Sequence, residues 1–113
     1  MRDYRQQVRP LAVSDTDDLK LFSTGFYAFQ QKDYITAISY MDGLMQRCPD
    51  TVLRDMALFW LSQAYFSAGF QNEAARTLAQ FFREYPALAY IKKDVDENLV
   101  ELAIRYNIES ANT

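Results

Sequence analysis

The side chains that could do chemistry in this 113-residue chain are few, and an absence decides most of the question. No histidine is present, which removes the commonest general base and the imidazole ligand of zinc sites. The single thiol, Cys48, stands against Pro49 with no imidazole anywhere to activate it, so it reads as an inert structural cysteine. Two acidic groups remain. Asp15, Asp17 and Asp18 suggest a calcium loop but lack its turn glycine and its closing bidentate glutamate. Asp94, Asp96 and Glu97 are close enough in sequence for acid-base or metal work, yet the same residues are what the first turn of a helix favours. The three glycines are isolated and build no phosphate cradle, and no serine sits in a nucleophile elbow. The expectation is a non-enzyme with no catalytic residue, no metal and no cofactor.

What the composition supplies instead is bulk. Half of the residues are apolar, and eight Phe, eight Tyr and one Trp stand against only three Gly and three Pro. A chain of this length and apolar fraction holds one domain with a core of its own. One cysteine excludes a disulfide framework. The formal charge of -3 argues against a nucleic-acid binder, and the one basic cluster, Arg2, Arg5 and Arg9, reads as a solvated leader. The longest apolar run, Met56 to Leu61, falls far short of the roughly 20 residues that span a bilayer, and residues 1–13 carry no apolar signal segment. A soluble chain with no direct membrane insertion is expected. Its compartment stays open, because a lone thiol is compatible with the cytoplasm or, with an export signal upstream, with a bacterial periplasm or cell envelope.

The bulky residues must sit on helices, because they recur in threes and fours and no alternating pattern competes. Residues 1–13 contain Pro10 and no sustained periodicity, and read as a leader or linker. Ser14 with Asp17 resembles a capping box, which predicts a helix starting there with Asp15, Asp17 and Asp18 over its first turn. Leu19, Phe22, Phe26 and Phe29 form one stripe on it and Leu21, Gly25 and Ala28 a second. Asp33 caps a second helix carrying Tyr34, Ala37, Ile38, Met41, Leu44 and Met45, closed by Cys48 and Pro49. A third is expected from Thr51 to Ala68 with Gly69 at its exit, and a fourth from Asn72 to Tyr85, ended by Pro86. Leu88, Ile91, Val95, Leu99, Leu102 and Tyr106 predict a capping helix over about 88–107, its start falling anywhere between Ala87 and Val95, with Lys92, Lys93, Glu97, Glu101 and Arg105 facing water and 108–113 as a tail. One domain is thus expected over 14–107, built as a hairpin 15–49, a hairpin 51–86 and the cap.

Laid over each other at an offset of 37 residues, the hairpins agree position by position. Leu21 meets Leu58, Phe22 meets Phe59, Gly25 meets Ser62, Phe29 meets Phe66, Ala37 meets Ala74, Met41 meets Leu78, Leu44 meets Phe81 and Pro49 meets Pro86. Small residues sit where two helices of a hairpin must approach, since a large side chain there would wedge them apart.

These residues resemble the tetratricopeptide repeat (TPR), whose pattern is W-x2-L-G-x2-Y, then A-x3-F, then P. In the second copy Leu58, Leu61, Ser62, Tyr65, Ala74, Leu78 and Pro86 take those positions in turn; in the first, Gly25, Ala37 and Pro49 match, Leu21 and Met41 are conservative, and Thr24 and Ala28 depart. The spacing and the Pro-ended second helix look most like repeats of bacterial cell-envelope scaffold proteins. The resemblance implies an all-α fold of antiparallel hairpins stacked as a short right-handed solenoid with a C-terminal capping helix. A period of 37 against the usual 34 calls for an extra turn, expected as residues 50–54 extending the third helix backwards.

A helical stack of this kind presents its leading helices as a concave groove. The register places Leu19, Phe22, Phe26, Phe29, Met56, Phe59, Gln63 and Phe66 there, a surface too apolar to stay bare. The leader or neighbouring core side chains cover it within the monomer, or it is a site. As a site it makes the chain a protein-protein interaction scaffold that binds an apolar or aromatic-bearing peptide segment. The alternatives are a homo-oligomeric assembly unit that uses the same aromatic surface, or a regulatory segment of a larger protein. Few charges line the groove, so a strongly charged tail is not the expected ligand.

Overall fold

Helices α1 (Pro10–Gln30), α2 (Tyr34–Arg47), α3 (Arg54–Ser67), α4 (Gln71–Glu84) and α5 (Glu97–Ala111) follow in order, with a 3-10 helix over Pro86–Asp94 before the last. They account for nearly all of residues 10–111, the part of the chain that the computed structural model describes, with side chains from Asp17 onward. No strand occurs among the described residues, and the fold is all-α. Each helix packs chiefly on its neighbour in sequence, and α1 also touches α3.

The two hairpin turns are built alike, 37 residues apart. At the end of α1, Lys32 takes a left-handed conformation (φ 65°); its N–H donates to the Phe29 carbonyl at 2.9 Å and the Asp33 N–H to that of Ala28 at 2.9 Å. At the end of α3, Gly69 (φ 93°) donates to Phe66 at 3.1 Å and the Phe70 N–H to Tyr65 at 2.9 Å. Both are Schellman closures, which demand one left-handed residue. The exits of α2 and α4 also correspond: Cys48 (φ -132°, ψ 68°) and Tyr85 (φ -131°, ψ 61°) precede Pro49 and Pro86. Thr51 then donates to Cys48 and Leu88 to Tyr85. The repeat read from side-chain size is therefore also a repeat of backbone conformation, as far as residue 88.

Four expected boundaries move. The first helix begins at Pro10, so Ser14 and Asp15 lie inside it and Ser14 is no cap; proline suits a first helical position because its fixed φ is helical and the N–H it lacks would have no partner there. Of the expected leader 1–13, residues 10–13 are therefore helical and the rest, with Arg2, Arg5 and Arg9, lies outside the described residues. The third helix begins at Arg54, and the extra length of the repeat sits in the turn before it. The expected single cap over 88–107 is two pieces, broken where Val95 is extended (φ -117°, ψ 149°). Three residues per turn stack Leu88 and Ile91 on one edge of the 3-10 helix. Asp96 then caps α5, its Oδ1 accepting from the backbone N–H groups of Asn98 at 2.9 Å and Leu99 at 3.3 Å. Residues 108–111 of the expected tail belong to α5.

Small residues set the spacing of the helices. A Cβ on Gly25 would lie 3.2 Å from the Cβ of Tyr40 and 3.3 Å from the Cε of Met41, so α1 and α2 are in close contact there. Ala28, Ala37 and Ala64 form one buried cluster where α1, α2 and α3 meet. Ala74, Ala75 and Ala79 do the same for α4, in a core with Leu58, Leu78, Phe81, Leu99 and Ala103. The buried Ser62 keeps its hydroxyl satisfied by donating to the Phe59 carbonyl at 2.6 Å. Ala28, a departure from the repeat pattern, thus has a packing role.

One ion pair ties the ends of the second hairpin. Arg54 at the start of α3 grips Glu84 at the end of α4 with two parallel bonds, Nε to Oε1 at 2.8 Å and Nη2 to Oε2 at 3.1 Å, and Gln80 donates to the same carboxylate at 2.8 Å. The guanidinium holds the Glu84 carboxyl down at about 2, against an ordinary 4.5.

Two outcomes follow. Replacing Lys32 by glycine removes the steric cost of a side chain at positive φ and should raise stability by about 0.5–1 kcal/mol in urea titration, while Gly69→Ala should lower it by about 1 kcal/mol. Because the folded-state pKa of Glu84 is depressed, its contribution is complete above the ordinary value of 4.5 and is lost as pH falls toward 2. Wild type should therefore melt above Glu84→Gln at neutral pH, and the two curves should converge near pH 2.

Candidate partner-binding surface

The eight residues expected to line one groove divide among five places. Phe22 is core: only 8% exposed, it packs with Met41, Leu44, Ala57 and Leu61. Phe26 and Phe29 are half-buried on α1 and face α3. Phe66 is half-buried against the second hairpin's core, and Gln63 donates to the Ser62 hydroxyl at 3.2 Å. Leu19, 60% exposed, borders a separate hollow with Asp18, Val52 and Leu53 beside the turn between the hairpins. Only Met56 and Phe59 remain on a common apolar cleft.

Trp60 explains the division, and repeat reasoning missed it. Its ring meets Phe26 edge-on at 5.1 Å, Phe29 at 5.3 Å and Phe59 at 5.1 Å, and Phe26 stacks on Phe22 at 6.0 Å. Phe59 continues the chain of rings to Phe81 at 5.7 Å. Edge-to-face pairs of this kind add roughly 0.5–1.5 kcal/mol each beyond area burial. Much of the aromatic surplus is therefore spent joining one hairpin to the next. The available signal was that Trp60 is the one tryptophan and lies within the longest apolar run.

The cleft itself is walled by Met56, Phe59 and Trp60 of α3, Phe81 of α4, and Leu88 and Ile91 of the 3-10 helix, with Asp55 at its rim; its volume is ≈ 180 Å³. Met56 is 44% exposed at its mouth. Lys92 braces the 3-10 helix from outside, its ammonium 5.5 Å from the centre of the Phe82 ring. An apolar cavity of about 150 Å³ accepts benzene, so this hollow is of a size for one ring-bearing or branched side chain.

Four of the polar candidates, Asp17, Asp18, Cys48 and Asp96, have structural partners. Asp17 pairs with Arg47 at 3.4 Å, joining α1 to the end of α2. The Cys48 thiol is pushed up to about 11 by its hydrogen bond to the Asp18 carboxyl, with burial adding to the effect. A thiol so placed is a poor nucleophile. Asp96 is committed to capping. No described helix is long and apolar enough to cross a membrane.

No family model matches the chain, and no curated protein or solved structure matches it either. What the cleft does must be read from its own residues.

Removing the central ring should separate framework from surface. Trp60→Ala is expected to cost about 3 kcal/mol of stability by chemical denaturation. Met56→Glu, at an exposed position, should stay within about 0.5 kcal/mol of wild type.

Proposed function

We propose that the chain is a short TPR-like interaction module, without catalytic activity, that takes an apolar or aromatic side chain of a partner protein segment into the cleft of Met56, Phe59, Trp60, Leu88 and Ile91. The observation that carries the reading is the cleft: five of its walls are apolar side chains that the fold leaves partly open beside the rigid ring cluster of Trp60. Backbone repetition at 37 residues supports the solenoid reading, in which Met56 and Phe59 belong to the concave side. A rigid, preformed apolar pocket is what an aromatic anchor needs, because little ordering entropy is lost when it enters.

The site differs from the open groove expected from sequence. Phe22, Phe26 and Phe29 support it from behind, and the 3-10 helix adds a wall with Leu88 and Ile91.

N-acetyl-phenylalaninamide, titrated against nitrogen-15-labelled protein, tests the reading. Saturable shifts are expected at Met56, Phe59, Trp60 and Ile91, and Met56→Glu should abolish them while leaving the melting curve intact. Shifts scattered over the surface, or unchanged in Met56→Glu, would overturn it.

A further inference from the structure

Helix α5 has an open face at the position where the two earlier hairpins carry a partner helix. Helix α3 shows the geometry. One side of it, Ala57 and Leu61, packs on the preceding hairpin, and the side bearing Leu58 and Phe66, about 130° around the helix, packs on α4. In α5, Leu99 and Ala103 pack on the preceding hairpin in the same way. About 130° around from them stand Val100, Ile104 and Ile108, spaced by four residues as one stripe. Val100 is half-buried, Ile104 is 40% exposed and Ile108 is 58% exposed. The anchor of α5 is firm, for Asn107 donates to the Ala79 carbonyl at 3.1 Å and accepts from Arg83 on α4.

We propose that a second copy of this chain fills that position, its α5 lying antiparallel on the first so that each helix serves as the other's hairpin partner. Charge selects this occupant. Glu101 and Arg105 flank the stripe on one side, both exposed and paired within the helix at 3.1 Å. In an antiparallel pair about a twofold axis, the same flank of each helix faces its counterpart, running the opposite way. Glu101 of each copy then comes opposite Arg105 of the other, giving two reciprocal ion pairs beside a central contact of Ile104 with its symmetry mate. In a parallel pairing the flank bearing Glu101 and Arg105 would face the opposite flank of the other copy, and both reciprocal pairs would be lost. The contact lies on the last helix and uses none of the residues of the cleft, so the two can work together.

Sedimentation equilibrium from micromolar to millimolar concentration tests it. Wild type is expected to form a dimer, and Ile104→Glu and Ile108→Glu each to weaken it more than about tenfold while circular dichroism stays unchanged. Glu101→Arg alone should weaken the dimer, and adding Arg105→Glu should restore it, because the exchanged charges again oppose each other. A wild type that remains monomeric throughout, or a higher oligomer, overturns the proposal. So does a dimer indifferent to both isoleucine substitutions, or one that the charge exchange fails to restore.

Discussion

Where α1, α2 and α3 meet, the contact is made by Ala28, Ala37 and Ala64, all of them buried. The rest of the structure depends on the smallness of those three side chains. A methyl group is the largest substituent that keeps three helices this close, and a longer side chain at any corner would push a whole helix outward, since packed interiors have little slack. Close approach at the alanines leaves no room there for the Phe, Tyr and Trp side chains. Phe26, Phe29 and Phe59 lie at the edge of the junction instead, where Trp60 collects them into one cluster.

That arrangement shapes the surface. Because Trp60 is wedged between Phe26, Phe29 and Phe59, its remaining edge forms a floor for the cleft, with Met56 at the mouth. The 3-10 helix closes one side of it. Its tighter winding, three residues per turn, lets Leu88 and Ile91 point the same way, which an α-helix over the same residues would not do as well. The irregular segment that ends the repeat is thus the one that makes the cleft.

How much of this was legible in the sequence varies with the physical origin of each feature. Helices α2 and α4 and both hairpin turns were legible to within about a residue, because caps, breakers and periodicity are local signals: Asp33 accepts from the Thr36 N–H as its type and position imply. The repeat was legible because Gly25, Ser62, Ala37 and Ala74 answer a demand that recurs in each hairpin. Trp60 was not, since at the same offset its counterpart is Ser23; its contacts with Phe26 and Phe29 lie between hairpins and leave no mark within either. The same reason hid the burial of Phe22, which depends on Ala57 and Leu61 of the following hairpin. The break at Val95 escaped because apolar residues continue in threes and fours across it, and spacing alone does not separate one helix from two.

The contact between Cys48 and Asp18 has a practical side. A thiol held well above its ordinary value carries little thiolate at neutral pH, and thiolate is the form on which alkylating reagents and disulfide exchange act. The native cysteine is chemically quiet. A probe attached through a cysteine introduced elsewhere on the surface would report from its own position, with the wild-type residue left in place.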